Sequence, residues 1–190
     1  MSTELTSEIM KSYGINVGAK CSISLRIGLT LLLFLLAGCN RIPERAPTLE
    51  LAISSEGSLE QYIQAAQLTT SWTTGSGRGY EADSFHPLTL KPDRYSEITL
   101  CLTDKSCEIN LLFSDKYPPH SITAQRWNAE YRRSNHDISD EVKSKSEYVE
   151  LENNTIYVYD DGKNYIYEIY AIWNNGNSRY TFCTEHYQTP

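Results

Sequence analysis

The sequence has few of the features that mark the large classes of enzymes and nucleic-acid-binding proteins. Basic side chains are scarce, with 17 Lys and Arg against 24 Asp and Glu and a formal net charge of −7. Binding to a phosphate backbone needs clustered Lys and Arg, so nucleic acid is not a predicted partner. Hydrophobic residues nevertheless make up 40% of the chain, which is enough for a globular core and argues against intrinsic disorder.

Common catalytic motifs are also missing. No nucleophile elbow, zinc-protease helix, P-loop or dinucleotide-binding fingerprint occurs, and no CxxC pair or Cys/His cluster suggests zinc. The sequence therefore predicts no metal and no cofactor. One enzyme alternative remains, a site built from distant loops by Asp83, His86 and His120. The competing interpretation is that residues 82–88 form a turn in which Asp83 or Ser84 caps the backbone and Pro87 ends a strand.

The N-terminal part of the chain contains one long apolar run. Residues 27–37 read IGLTLLLFLLA, which is shorter than the about 20 residues that span a bilayer. Lys11, Lys20 and Arg26 precede the run and Gly38 follows it. A basic segment, an apolar segment and small residues in this order predict a secretory signal peptide over residues 1–38.

The end of this segment resembles the lipobox of bacterial lipoproteins in all four positions, Leu36-Ala37-Gly38-Cys39. The resemblance implies cleavage before Cys39 and attachment of acyl chains such as palmitate to that residue. Two or more acyl chains hold a protein firmly on a membrane. We therefore expect the protein on the extracytoplasmic face of the cell membrane, with an uncleaved anchor as the alternative.

The remainder of the chain has the pattern of strands. Residues 39–48 carry two prolines and are predicted as a lipidated tether, and residues 49–190 as one domain. Short alternating runs separated by Asn153-Asn154, Asp161-Gly162 and Asn174-Asn175-Gly176 favour an antiparallel, immunoglobulin-like β-sandwich of seven to nine strands behind an N-terminal signal helix. A small closed barrel is the alternative. Residues 129–145 lack apolar periodicity and are predicted as a loop.

Three cysteines are left for pairing once Cys21 leaves with the predicted signal peptide and Cys39 is acylated. Cys101 and Cys107 stand on either side of a four-residue polar turn, so a disulfide across a hairpin is one prediction. Alternation points the two thiols to opposite faces unless a bulge intervenes. Pairing of Cys183 with either residue and three free buried thiols are the alternatives.

Tyrosine is the most informative residue type in the second half of the sequence. Period-two alternation places Tyr157, Tyr159 and Tyr170 on the solvent side of their strands. The residues predicted to line the core are Ile156, Val158, Tyr167, Ile169, Ala171, Trp173, Tyr180 and Phe182. Exposed tyrosines are common where proteins bind peptides, glycans or other proteins, so Tyr157, Tyr159 and Tyr170 are predicted to form a binding patch on one sheet. Cross-strand aromatic pairing that only stabilises the sheet is an equally serious interpretation.

A family resemblance covers roughly residues 65–183. This part of the chain resembles lipoproteins of Firmicutes in the order of its motifs. They are Ser71-Trp72, a Gly-rich turn, the segment 82–88, Leu111-Leu112-Phe113, Pro118-Pro119, Arg126-Trp127 and the aromatic strands 165–173 and 180–182. It is also similar to extracellular C-terminal segments of membrane sensor and peptidase proteins. The resemblance implies a β-sandwich outside the cell and carries over no established activity or binding residue.

Three functions follow from the sequence as expectations. The leading one is a non-enzymatic binding or sensory accessory module whose partner is an envelope protein, a peptide or a glycan. The second is an extracytoplasmic enzyme with the Asp83, His86 and His120 site. The third is a structural protein of the cell envelope.

Overall fold

The computed structural model describes residues 42–54, 60–90, 99–102, 106–133, 138–159 and 161–186. The predicted signal helix and Cys39 lie outside these residues. The chain divides between residues 1–40 and a unit of residues 41–190, and the fold below is that of the second unit. Within the described ranges, no helix combines the length and the apolar character needed to cross a membrane.

Strands dominate the second unit. They are β1 (Glu50–Ser54), β2 (Gln61–Gln64), β3 (Ala66–Thr73), β4 (Gly79–Ala82), β5 (Thr99–Leu102), β6 (Ser106–Leu112), β7 (Ser121–Asn128), β8 (Glu147–Val149), β9 (Thr155–Tyr159), β10 (Tyr165–Trp173) and β11 (Gly176–His186). Helical structure in the described part is limited to 3₁₀ turns at Pro87–Thr89 and Ala129–Tyr131 and one short helix, α1 (Asp140–Lys143).

The strands form two sheets. The smaller sheet has the order β2-β1-β6-β9, and the larger has β4-β3-β11-β10-β7-β8, with antiparallel neighbours in both. Strand β5 joins β11 in parallel. The predicted all-β sandwich is confirmed, but the strands exceed the predicted seven to nine. Two of the additional strands, β2 and β4, are only four residues long, which is too short to produce a clear alternation.

Alternating residues of both sheets build the core between them. The predicted core residues are confirmed as buried, from Ile156 and Val158 in the smaller sheet to Tyr167, Tyr180 and Phe182 in the larger. The rings of Tyr167 and Phe182 stack with centroids 4.7 Å apart. Both rings belong to the larger sheet, and aromatic rings stacked in this way bury much apolar surface in the core.

A second apolar layer covers the outer face of the larger sheet, the face turned away from the smaller one. Trp127 and Ile166 are buried there, and the 3₁₀ turn at Pro87–Thr89 packs over β10 with Leu88 fully buried. The Trp127 indole N–H donates to the carbonyl of Lys143 at 3.2 Å. Part of the predicted loop at residues 129–145 therefore folds into α1 and a 3₁₀ turn that cover this face.

Two predicted hairpins are wrong. Asp161-Gly162 does not join paired strands, because β9 belongs to the smaller sheet and β10 to the larger. Likewise β5 pairs with β11, whereas β6 pairs with β1 and β9. The hairpin that motivated the disulfide between Cys101 and Cys107 is therefore not formed. Cys107 is buried in the core, the side chain of Cys101 lies outside the described residues, and the disulfide stays a prediction.

The described part of the predicted tether packs on the domain. Ala46 is buried and Ile42 contacts the core. The indole N–H of Trp72 donates to the carbonyl of Pro43 at 2.9 Å, and the hydroxyl of Tyr180 donates to the carbonyl of Pro47. Residues 42–48 are thus held by two buried aromatic side chains, a role that their proline content did not indicate.

Gly176 provides a direct test of the close packing between β11 and β3. It is the first residue of β11, with φ 151°, and a Cβ there would approach the carbonyl oxygen of Ser71 to 2.0 Å. We expect Gly176→Ala to lower the free energy of unfolding by about 2 to 4 kcal/mol, because backbone must move to admit the methyl group. Gly79→Ala is the matched control, since nothing lies within 4 Å of its Cβ position. Denaturant unfolding of both variants is the measurement, and equal stabilities would contradict the close approach.

Candidate functional site

The three predicted binding tyrosines do not form one patch. Tyr157 and Tyr159 lie on β9 of the smaller sheet, and Tyr170 lies on β10 of the larger. The Arg179 guanidinium lies 5.0 Å from the ring centroid of Tyr170 and also donates to the buried carboxylate of Glu168 at 2.9 Å. Tyr170 therefore contributes to the outer surface of the larger sheet, and the prediction of a shared patch is wrong for this residue.

Tyr157 and Tyr159 instead share a groove with Tyr148, which we call the edge groove. It has a volume of about 650 Å³ and runs between β8 and β9, the edge strands of the two sheets. Tyr148, Tyr157 and Tyr159 are 74%, 43% and 67% exposed. The other lining residues are Arg126, Val149, Glu150, Leu151 and Glu152.

A tight turn places the two edge strands on the same side of the sandwich. Asn153 and Asn154 have φ values of 50° and 64°, a conformation that asparagine tolerates better than most residues. The backbone N–H groups of Glu152 and Thr155 each donate to the carbonyl of the other, at 3.1 and 2.9 Å. A turn forms at Asn153-Asn154 with one isolated bridge between Glu152 and Thr155. The predicted hairpin is wrong beyond that bridge, because the turn carries the chain from β8 in the larger sheet to β9 in the smaller one.

The edge groove is negatively charged. Glu150 and Glu152 line it. Among its described lining residues the one cation is Arg126, which forms an ion pair with Glu147 at 2.9 Å and lies 3.9 Å from the ring centroid of Tyr165. The carboxylate of Glu152 is the main cause that raises the pKa of Tyr157 above its usual range. A negative potential beside exposed aromatic rings favours cations over anions.

The alternative Asp/His site does not come together. The His86 ring packs edge-on against Trp127 with centroids 5.0 Å apart, and its Nδ1 accepts the Leu88 N–H at 3.2 Å. His86 thus caps the 3₁₀ turn, a role predicted for Asp83 or Ser84. His120 immediately precedes β7, whereas Trp127 is near its other end, a separation of about 23 Å along a strand.

Potential metal ligands and charged side chains are also dispersed over the other described parts of the surface. In the described ranges, no three His, Cys, Asp or Glu side chains are placed to hold a metal ion. A cleft of about 630 Å³ beside residues 128–132 and 162–164 contains charges of both signs, among them Glu130, Lys163 and Glu185. A smaller cleft of about 410 Å³ on the outer face of the smaller sheet contains Tyr62 and Asn110. Neither cleft combines one sign of charge with several exposed aromatic rings.

Sequence analysis missed Tyr148 as a member of the site. No face could be assigned to this residue from the sequence, because its strand β8 has three residues and gives too short an alternation. The signal available was composition, since Glu147, Tyr148 and Glu150 place an aromatic ring between carboxylates, as on an exposed strand.

Comparison with known proteins adds no relative: no family model, no curated protein and no solved structure matches this chain.

The environment of His86 makes stability depend on pH. Burial lowers the pKa of His86 below 6.5 and outweighs the opposite effect of Glu168, and Lys143 and Arg179 add to the lowering. A lowered folded pKa means that the unfolded chain takes up the proton first. Stability is therefore complete above about pH 6.5 and declines as the pH falls from there to the folded pKa.

We expect His86→Asn to remove this part of the pH dependence, because an asparagine oxygen still accepts the Leu88 N–H but does not titrate. The measurement is the free energy of unfolding of wild type and His86→Asn at about pH 7 and about pH 5. The difference between the two proteins at each pH isolates the contribution of His86, because the other titrating groups are present in both. His120→Gln, at an exposed position, is the control. A difference between wild type and His86→Asn that does not change with pH would contradict the assignment.

Proposed function

We propose that this chain is a lipoprotein anchored on the extracytoplasmic face of the cell membrane, and that its β-sandwich is a non-enzymatic binding or sensory accessory module. The edge groove is the observation that carries the binding function. Tyr148, Tyr157 and Tyr159 expose large aromatic surfaces in this groove, whereas other aromatic rings of the domain are buried in the core. Rigid aromatic side chains of this kind supply contact area at a low cost in conformational entropy.

The proposed anchor rests on the sequence. The predicted signal peptide at residues 1–38 ends in Leu36-Ala37-Gly38, directly before Cys39. Acylation of Cys39 would confine the domain to a membrane surface. A binding module held there meets other envelope components at high effective concentration.

The enzyme alternative has less support, because Asp83, His86 and His120 do not converge and His86 is engaged in capping a backbone turn. A purely structural envelope protein remains the second candidate. It differs from the leading proposal in one measurable respect, since it has no need for a groove that selects a ligand.

Cys39→Ser tests the anchor. We expect the variant to lose incorporation of labelled palmitate and to leave the membrane fraction, because serine cannot form the thioether to the lipid. Cys21→Ser, within the predicted signal peptide, is the control and should stay lipidated. Membrane retention of Cys39→Ser with an uncleaved leader would show that the signal segment itself is the anchor, and would contradict lipidation as the means of attachment.

Selection from defined libraries tests the binding module. The full-length protein in neutral detergent is exposed to random short peptides and to a panel of soluble oligosaccharides. We expect ligands selected by the wild type to bind the triple variant Tyr148→Thr, Tyr157→Thr, Tyr159→Thr at least about tenfold more weakly. Threonine keeps the strand propensity of these positions.

The matched control is Tyr80→Thr, on the edge strand β4 and 49% exposed, which should bind as the wild type does. Ligands that bind the triple variant unchanged would place the binding site elsewhere. A library that yields no ligand would contradict the binding module and favour the structural candidate. Thermal unfolding of every variant separates loss of binding from loss of fold.

A further inference from the structure

One edge of β9, which is not paired with any described strand, carries the backbone of the same tyrosines whose rings line the edge groove. The N–H of Leu111 donates to the carbonyl of Asn154 at 2.9 Å, so this pair is hydrogen-bonded across β6 and β9. Residues of an antiparallel strand alternate between hydrogen-bonding one neighbour and the other. Ile156 therefore bonds to β6, and Tyr157 and Tyr159 turn their N–H and C=O groups away from it.

No described strand pairs with β9 on that side. Thr155 points its N–H and C=O to the same side as Tyr157 and Tyr159, but both groups are hydrogen-bonded to Glu152 and are not available to another strand. The open part of the edge therefore starts at Tyr157 and includes Tyr159. It presents two donors and two acceptors in the spacing of a β-ladder.

Strand β8 repeats this arrangement across the groove. The N–H of Ala129 donates to the carbonyl of Asn164 at 2.8 Å. Every second residue of β7 before Ala129 is therefore hydrogen-bonded to β10, and Gln125 is one of these residues. Gln125 is the residue opposite Tyr148, so the N–H and C=O of Tyr148 point away from β7. Since β8 has three residues and β9 has five, β9 is the better template for an added strand.

Side chains around the β9 edge differ between its two faces. Glu108 lies opposite Tyr157 in the register of β6 and β9 and, like Tyr157, is exposed on the outer face of the smaller sheet. Val149 and Leu151 offer apolar surface in the groove. Both are only partly buried.

We propose that the edge groove binds an extended peptide with alternating basic and apolar residues, which pairs with Tyr157 and Tyr159 as an additional strand beside β9. This inference rests on the proposed binding function and names its ligand. Basic side chains lie over the rings of Tyr157 and Tyr159 within reach of Glu108 and Glu152, and apolar side chains face Val149 and Leu151. Main-chain hydrogen bonds supply affinity in this mode, and the alternating side chains supply specificity.

A second copy of this chain fits the edge less well. Two β9 strands in contact would bring together two edge grooves that each contain Glu150 and Glu152, in a chain with a net charge of −7. Like charges brought close together repel each other. The charge complementarity of the groove therefore favours a basic partner over self-association.

The test uses three short peptide probes with the full-length protein in neutral detergent. One alternates Lys and Val, the second alternates Glu and Val, and the third is the Lys/Val peptide with alternate backbone amides N-methylated. We expect the first to bind at least about tenfold more tightly than the other two. N-methylation keeps the charge but removes the donors that strand pairing requires. Hydrogen exchange should slow at the amides of Tyr157 and Tyr159.

Single carboxylate variants refine the test. Glu152→Gln should weaken binding of the Lys/Val peptide several-fold, an effect of about 0.5 to 1 kcal/mol for one charge at the rim. The matched control is Glu81→Gln, exposed on β4 at the opposite edge of the larger sheet, which should leave binding unchanged.

Several results would overturn the inference. Equal binding of the N-methylated peptide would show attraction by charge without strand pairing, and preference for the Glu/Val peptide would show the wrong ligand class. Protection of the same amides by a concentration-dependent dimer would assign the edge to a second copy. In each case the proposed binding function stands if the libraries yield ligands that bind the triple tyrosine variant more weakly than the wild type, and it fails if the libraries yield no ligand.

Discussion

The hairpin of β10 and β11 organises both faces of the larger sheet. Its inner face holds Tyr167 and Phe182 in a stack and continues into edge-on contacts of Trp173 with Trp72 and Phe113, each with centroids 5.5 Å apart. Its outer face carries Ile166 beneath the 3₁₀ turn and the buried Glu168, whose carboxylate accepts from Gln125 and Arg179 at 2.8 and 2.9 Å. Because both faces of β10 are largely covered, every residue of this strand except Glu168 is apolar or aromatic, and the rest of the domain packs around the hairpin.

The polar tips of buried aromatic side chains fix the irregular segments. The indole N–H groups of Trp72, Trp127 and Trp173 donate to the main-chain carbonyls of Pro43, Lys143 and Tyr117. The hydroxyl of Tyr180 does the same for Pro47. A buried N–H or O–H needs an acceptor, and a loop carbonyl needs a donor when it lies against a core. Each of these contacts satisfies both needs, which explains how segments without periodicity become part of the fold.

Sequence reasoning predicted the faces of these strands better than their partners. Alternation correctly placed Tyr157 outside and Tyr167 inside, because burial on one side imposes a period of two in any sheet. The same alternation could not show that Tyr157 and Tyr170 belong to different sheets. The turn at Asp161-Gly162 has the local chemistry of a hairpin, yet its flanking strands separate because their inner faces must close on each other across the core. Pairing is decided by contacts distant in sequence, and these leave no local signal. Tyr148 was missed for the related reason that its strand is too short to show a period.

The exposed edge of β9 has to be protected against pairing with any chain that presents a compatible strand. The turn at Asn153-Asn154 closes its first residue through Glu152, and the carboxylates of Glu108 and Glu152 stand beside the residues that remain open. Negative charge at an open edge discourages association between copies of an acidic protein, since every copy carries the same charge. It does not discourage a basic strand. The carboxylates that discourage self-association at this edge therefore also make it selective for a basic strand. In this respect the edge of β9 differs from an edge that is covered by a bulge, a proline or a loop.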